Sequence, residues 1–291
     1  MILDQYKING ISDELKGYSP TDAAKFKDPN HYPDFQRELM DFQSLVTDCV
    51  ARNKNKSFLR LSDGDYFFLK KEPHGSACPG NRALSIQYSQ IDIDVYLKSL
   101  ARNDFFGLPV FDEFTKQGFS KDFPQFTKNF SLEFLYGLLS SKWFFNQSNF
   151  KVGLIGGENK IELIQQLSQR KEYLDYLGIE KFYDYITVPE KFACDDLDAL
   201  DDHVEKQLKK STANIFLFGV GHVKLYLSSR FKDFKEAVYL DVGTGIDALA
   251  GIQEYERPYF SNWQNFRLKN ADYSRIDMMQ SSLNGKEIWL D

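Results

Sequence analysis

Hydrophobic positions along this chain change period several times, and those changes mark out its elements. Over residues 33–51, Phe35, Leu39, Phe42, Leu45, Val46 and Val50 recur at helical spacing, which predicts a helix with one apolar face. Residues 57–61 (SFLRL) form a short β-rich run that stops at Ser62-Asp63-Gly64-Asp65, and 66–69 reads as a second extended run. The stretch 72–82 holds Pro73, Gly75, Pro79 and Gly80 and reads as a loop, and helical patterns return at 87–103 and 132–143. The second half is more regular. Runs at 151–155 (KVGLI), 185–188, 214–218 (NIFLF) and 237–241 (AVYLD) read as buried strands, with helices expected at 160–169, 195–210 and 223–230.

Strands alternating with helices of this length imply an α/β fold: a Rossmann-like, mostly parallel sheet with helices on both faces. Glycines follow three of the strands, at Gly156-Gly157, at Gly219 and Gly221, and at Gly243 and Gly245. All three ends are expected on one edge, where a doubly wound sheet holds its ligands. The expected organisation is an N-terminal extension over 1–55 packed on the core, a Rossmann-like domain over 56–252, and a tail over 253–291.

Composition narrows the partners. At 42% hydrophobic and 27% charged, the chain has the make-up of a folded protein rather than a disordered one. Lys and Arg number 36 against 42 Asp and Glu, a net charge of −6, which lacks the electrostatic footprint of a nucleic-acid binder. A local basic pocket for a phosphorylated small molecule stays open. Cys49, Cys78 and Cys194 share no CxxC spacing, so neither a disulfide framework nor a thiolate zinc site is supported. No signal-like segment opens the sequence and no apolar run approaches the ~18–20 residues that span a bilayer, so no transmembrane segment and a cytoplasmic setting are expected. The patterns GxxxxGK[ST], HExxH and GxSxG are missing, which removes support for several common enzyme classes.

Three segments carry candidate chemistry. In Arg60-Leu61-Ser62-Asp63-Gly64-Asp65, two carboxylates one glycine apart can face one cleft and hold Mg²⁺ or Mn²⁺ beside a diphosphate, with Arg60 steadying the carboxylates or reaching a phosphate. The same residues suit a hairpin, since Asp-Gly is a favoured two-residue turn. Gly156-Gly157-Glu158 follows a strand and opens a helix, so its amides can receive a phosphate and Glu158 suits a ribose hydroxyl; a plain strand-to-helix turn fits equally. Asp241-Val242-Gly243-Thr244-Gly245-Ile246-Asp247, read alone, resembles the first motif of S-adenosylmethionine methyltransferases, but that motif opens its domain and here it stands near the end. Between the last two lies Gly219-Val220-Gly221-His222, with His222 at a strand's carboxyl end, where a neighbouring carboxylate would favour a functional role over packing.

Taken together, RLSDGD after an early strand, the glycine-ended middle strands and YLDVGTGID resemble the bacterial glycosyltransferases of the GT-D fold, over residues 57–252. In that family a DxE motif serves the metal and the nucleotide sugar; here the second acidic position is Asp65 in place of Glu. The resemblance implies a metal-dependent glycosyltransferase that moves a sugar from a nucleotide-diphosphate donor, a UDP-sugar first among them, to a hydroxyl of a glycan acceptor. It implies Asp63 and Asp65 at Mn²⁺ or Mg²⁺, and Arg60, Gly64, Gly156, Gly157, Glu158, Gly219, Gly221 and Gly243 in the donor pocket. Asp247 or Asp241 is then the base, and His222, also counted among the catalytic residues, lines the cleft with Gly219 and Gly221. Glu256–Phe260 and Trp263 in the tail present an aromatic face to a sugar or pack on the sheet. The competing expectations are a methyltransferase with an unusual motif order and a non-catalytic nucleotide- or carbohydrate-binding module.

Overall fold

The computed structural model describes residues 35–72, 91–110, 112–127, 129–189, 193–252, 263–273 and 287–291. Seven strands form one sheet: β1 (Lys56–Arg60), β2 (Phe105–Leu108), β3 (Phe130–Ser131), β4 (Val152–Gly157), β5 (Asp184–Val188), β6 (Ile215–Gly219) and β7 (Val238–Asp241). Their order is β3-β2-β1-β7-β6-β4-β5 and every neighbouring pair is parallel. The fold is therefore a parallel α/β sheet of Rossmann-like type, and the carboxyl ends of β4, β6 and β7 share one edge. The short strands β8 (Asn265–Leu268) and β9 (Glu287–Leu290) pair separately, also in parallel.

Side-chain alternation explains why these runs are strands. In β6, Ile215 and Leu217 enter one core while Phe216 and Phe218 enter the other; in β7, Val238 and Leu240 oppose Tyr239 in the same way. A strand buried on both faces has no polar side, which is why these segments read as continuous apolar runs.

The helices take up the two faces. On the first lie α1 (Phe35–Ala51), α5 (Glu133–Ser140), α6 (Glu158–Leu167), α7 (Lys171–Leu177) and α10 (Gly245–Leu249), through residues such as Phe42, Leu135, Ile164, Tyr173 and Ile246. On the second lie α2 (Asp63–Lys70), α3 (Ile93–Leu100), α4 (Glu113–Asp122), α8 (Leu197–Leu208) and α9 (Lys224–Phe234), through residues such as Phe68, Tyr96, Phe119, Val204 and Phe231. A 3₁₀ turn (Gly221–Val223) leads into α9.

These placements put divergent connections side by side. β4 and β6 are neighbours, yet α6 leaves β4 over the first face and α9 leaves β6 over the second. β1 and β7 are also neighbours, with α2 and α10 departing to opposite faces. Divergence of this kind opens a crevice above the carboxyl ends of the strands.

The reading of the segment after β1 is corrected. Residues 63–70 are a helix, so RLSDGD is neither a hairpin turn nor followed by an extended run. Ser62 takes the N-cap position with Asp65 at N3 in a capping box, and Tyr66, Phe68 and Leu69 then fall on the buried side. The tail also forms β8, and Trp263, Phe266, Leu268 and Tyr273 complete the first core. Residues 1–34, the loop at 73–82 and Glu256–Phe260 lie outside the described residues.

Candidate functional site

Four charged side chains sit together under the carboxyl edge, each almost fully buried: Arg60 at 6% exposure, Asp65 at 1%, Lys224 at 4% and Asp241 at 0%. They come from the end of β1, the first turn of α2, the start of α9 and the end of β7. The order of the sheet brings β1 and β7 side by side, and α2 and α9 both lie on the second face.

Arg60 and Asp241 form a multiple clasp. Arg60 Nε donates to the Asp241 carbonyl (2.7 Å), Nη2 to Oδ1 (3.1 Å) and the backbone N–H to Oδ2 (3.3 Å). Arg60 Nη1 donates to the Tyr136 hydroxyl, and the guanidinium lies 4.5 Å from the centroid of that ring. Lys224 Nζ joins the two halves, reaching Asp241 Oδ2 at 2.8 Å and Asp65 Oδ2 at 2.9 Å. Asp65 Oδ2 also accepts from the Ser62 N–H and hydroxyl, both at 2.9 Å. His222 Nδ1 donates to Asp65 Oδ1 at 3.3 Å, and its ring stacks on Phe68 at 5.3 Å and 4°.

Burial alone would neutralise these groups, so the pairing decides their charge. Burial works to raise the Asp65 carboxyl, but Lys224 and His222 outweigh it and hold the group well below the usual carboxylate range. Burial likewise works to lower Lys224 and Arg60, and Asp241 above all pushes both upward. Asp65, Lys224 and Arg60 are thus each held in the charged form by their neighbours.

The glycines fall into two kinds. Gly243 adopts φ +49°, and a Cβ there would overlap Arg60 Nη2, so this glycine makes room for the guanidinium. Gly219 lies against the backbone of Gly243, and Gly156 against Ile246 and Ile161. Gly64 carries the His222 ring, with Cε1 3.0 Å from the position of a Cβ. Gly221 differs: at φ +62° it is exposed and has nothing within 4 Å of that position. Gly157 is the N-cap of α6 and Glu158 is exposed in its first turn. Asp247 pairs with Lys160 at 2.7 Å, tying α10 to α6.

The residues that the sequence nominates therefore divide by position. Arg60, Gly64, Asp65, Gly219, Gly221, His222, Asp241 and Gly243 converge over β1, β6 and β7, while Gly156, Gly157, Glu158 and Asp247 gather at the end of β4. Asp63 stands apart from Asp65, exposed at the first position of α2 with Oδ1 accepting from the Gly64 N–H (2.8 Å). Trp263 is buried and donates to the Ala248 carbonyl (3.2 Å). Lys224 and Tyr136 are residues of the site that motif reasoning does not reach, while Ser62 stands inside the RLSDGD segment. The one signal for Lys224 is a lone charge within the apolar run Val223–Leu227 of a helix packed on the sheet.

The donor set does not suit a divalent cation shared by Asp63 and Asp65. Both oxygens of Asp65 are engaged, with an ammonium 2.9 Å away, while Asp63 is exposed. Among the described residues, no group of three or more His, Cys, Asp or Glu side chains is placed to hold a metal ion. No helix among them is long and apolar enough to cross a membrane.

No family model matches the chain, and no curated protein matches it. A solved structure described as the selenomethionine-substituted domain of unknown function 1792 (DUF1792) is similar at 16% identity, covering 69% of this chain and 76% of that one, with a TM-score of 0.37.

Proposed function

We propose that this chain is a glycosyltransferase that takes a sugar from a nucleotide-diphosphate donor, a UDP-sugar first among them, and passes it to a hydroxyl of a glycan acceptor. The observation that supports this reading best is the meeting of the RLSDGD segment with the glycine-ended strands β6 and β7 at the carboxyl edge of the sheet. Those are the segments on which the resemblance to GT-D glycosyltransferases rests, and they are separated by most of the chain.

In this reading the donor diphosphate lies over the ends of β1, β6 and β7. Gly221 offers open backbone there, and Gly157 and Glu158 at the start of α6 suit the nucleoside portion. His222 is the base at the acceptor hydroxyl. Asp65 holds its Nδ1–H, which leaves Nε2 as the acceptor of a proton. Asp241 has no exposed surface, so it positions Arg60 and Lys224 and touches no substrate. Asp247, paired with Lys160, supports the α6–α10 side of the crevice.

The methyltransferase alternative needs Gly243 to face a cofactor, and that face of Gly243 is filled by Arg60. The decisive experiment is thermal-shift and calorimetric binding with UDP, GDP and TDP and with S-adenosylmethionine, followed by release of free sugar from the matching nucleotide sugars. A diphosphate that binds at ~100 Kd raises stability by about 2.7 kcal/mol. Nucleotide binding with turnover supports the transferase, and binding without turnover leaves a non-catalytic module. Binding of S-adenosylmethionine alone overturns the proposal.

A further inference from the structure

Lys224 is surrounded as a metal ion would be. Its ammonium has three N–H groups, and three oxygens surround it: the Arg60 carbonyl at 2.7 Å, Asp241 Oδ2 at 2.8 Å and Asp65 Oδ2 at 2.9 Å. Two carboxylates and a backbone carbonyl are the hard oxygen ligands that a divalent cation selects. They come from the ends of β1 and β7 and from the first turn of α2, so the ammonium joins three segments distant in sequence.

We infer that Lys224 is a built-in cation standing where a divalent ion would sit between Asp65 and Asp241, and that nucleoside diphosphates bind at this edge without added metal. The second half of that statement rests on the transferase reading; the first half does not. The other carboxylate oxygens are spent too, Asp65 Oδ1 on His222 and Asp241 Oδ1 on Arg60 Nη2 and the Gly243 N–H. Two carboxylates against Arg60 and Lys224 already balance, and a divalent ion entering among them would meet two cations a few ångströms away. A tethered ammonium is also never lost to a chelator, because its local concentration is fixed by the chain.

Three measurements test this. Wild-type protein is melted with Mn²⁺ and with EDTA; UDP, GDP and TDP are titrated into it under both conditions; and Lys224→Ala is melted with and without Mn²⁺. The expected results are an unchanged wild-type melting temperature and diphosphate affinities that agree within about twofold between Mn²⁺ and EDTA. Lys224→Ala should melt lower and recover part of the loss when Mn²⁺ enters the vacated oxygens. A tightening of diphosphate binding by about tenfold or more with Mn²⁺ overturns the inference, and its disappearance in Asp63→Asn would locate the ion at Asp63 instead. A Lys224→Ala protein that folds but ignores Mn²⁺ overturns the first half. If that variant does not fold, a wild-type melting temperature raised by Mn²⁺ alone overturns it. Failure of all three nucleotides to bind under any condition removes the transferase reading, and with it the second half, while the Mn²⁺ melts still decide the first.

Discussion

The carbonyl oxygen of Gly243 occupies the space that a Cβ on Gly219 would need. The end of β6 and the turn after β7 thus touch backbone to backbone, with Arg60 held on the other side of Gly243. Gly219→Ala should therefore destabilise by about 1–3 kcal/mol through overpacking against a backbone that cannot rotate away. Gly221→Ala meets no atom and carries only the strain of its positive φ, about 1–2 kcal/mol, most of which Gly221→Asn should recover. Urea unfolding of the three variants checks this, and equal losses for Gly219→Ala and Gly221→Asn would contradict it.

Removing the Asp241 charge strands two buried cations. Asp241→Asn leaves Arg60 and Lys224 with Asp65 alone, and a loss of about 3–5 kcal/mol is expected. Arg60→Lys keeps the charge but loses the forked contact to the Asp241 carbonyl and Oδ1, so it should be destabilised as well. Chemical denaturation compares them, and an Asp241→Asn protein as stable as wild type would show that the ions are not mutually dependent.

The same cluster sets a pH window. The Asp65 carboxyl is depressed in the folded protein, so its contribution is complete above the unfolded value near ~3.9 and is lost as pH falls through the folded value below it. Lys224 is raised, so its contribution is complete below ~10.4 and is lost as pH rises through the folded value above that. The stability difference between wild type and Asp65→Asn should hold steady near neutrality and shrink on acidification below about pH 4. A difference that stays constant to strongly acid pH would dissociate Asp65 from the cluster.

A base role for His222 separates turnover from binding. His222→Gln should retain diphosphate affinity while kcat falls by about 100- to 10,000-fold, the usual contribution of general acid–base catalysis. Asp65→Asn should lower kcat as well, because an Asn amide can donate to Nδ1 and so place the imidazole proton on Nε2, where it blocks base action. Full turnover by His222→Gln would move the base elsewhere, with Asp247 the next candidate at the same edge.

The fold is legible in the sequence where burial on both faces makes a strand apolar, as in β4 and β6. The half-buried edge strand β5 is marked instead by its β-branched residues. Strands β4 to β7 lie within a residue or two of the runs expected at 151–155, 185–188, 214–218 and 237–241. Strands β2 and β3 carry no such signal: FFGL and FS are short, lack β-branched residues and take their register from β1. At the site, the sequence points to Arg60, His222 and the strand-end glycines by place, because glycines after strands mark the carboxyl edge. The turn after β1 is where local chemistry misleads, since Asp-Gly favours a hairpin and only the Ser62–Asp65 capping pair reveals a helix start. Lys224 is invisible to motif reasoning because its partners are 164 and 17 residues away.

The position of β7 has a consequence for how this chain is made. β1, β2 and β3 form one half of the sheet and β6, β4 and β5 the other, and β7 alone joins them. It is also the last of the seven to leave the ribosome, so both halves must wait with an open edge beside their unfilled place. Asp241, the anion of Arg60, arrives at the same moment. Closure of the sheet and neutralisation of its buried charges are thus one late event, governed by contacts between distant parts of the chain, and such contacts fold slowly. A nascent chain stalled short of Asp241 would expose two half-sheets to any strand that passes, which makes this stretch of synthesis the interval in which a chaperone would matter most.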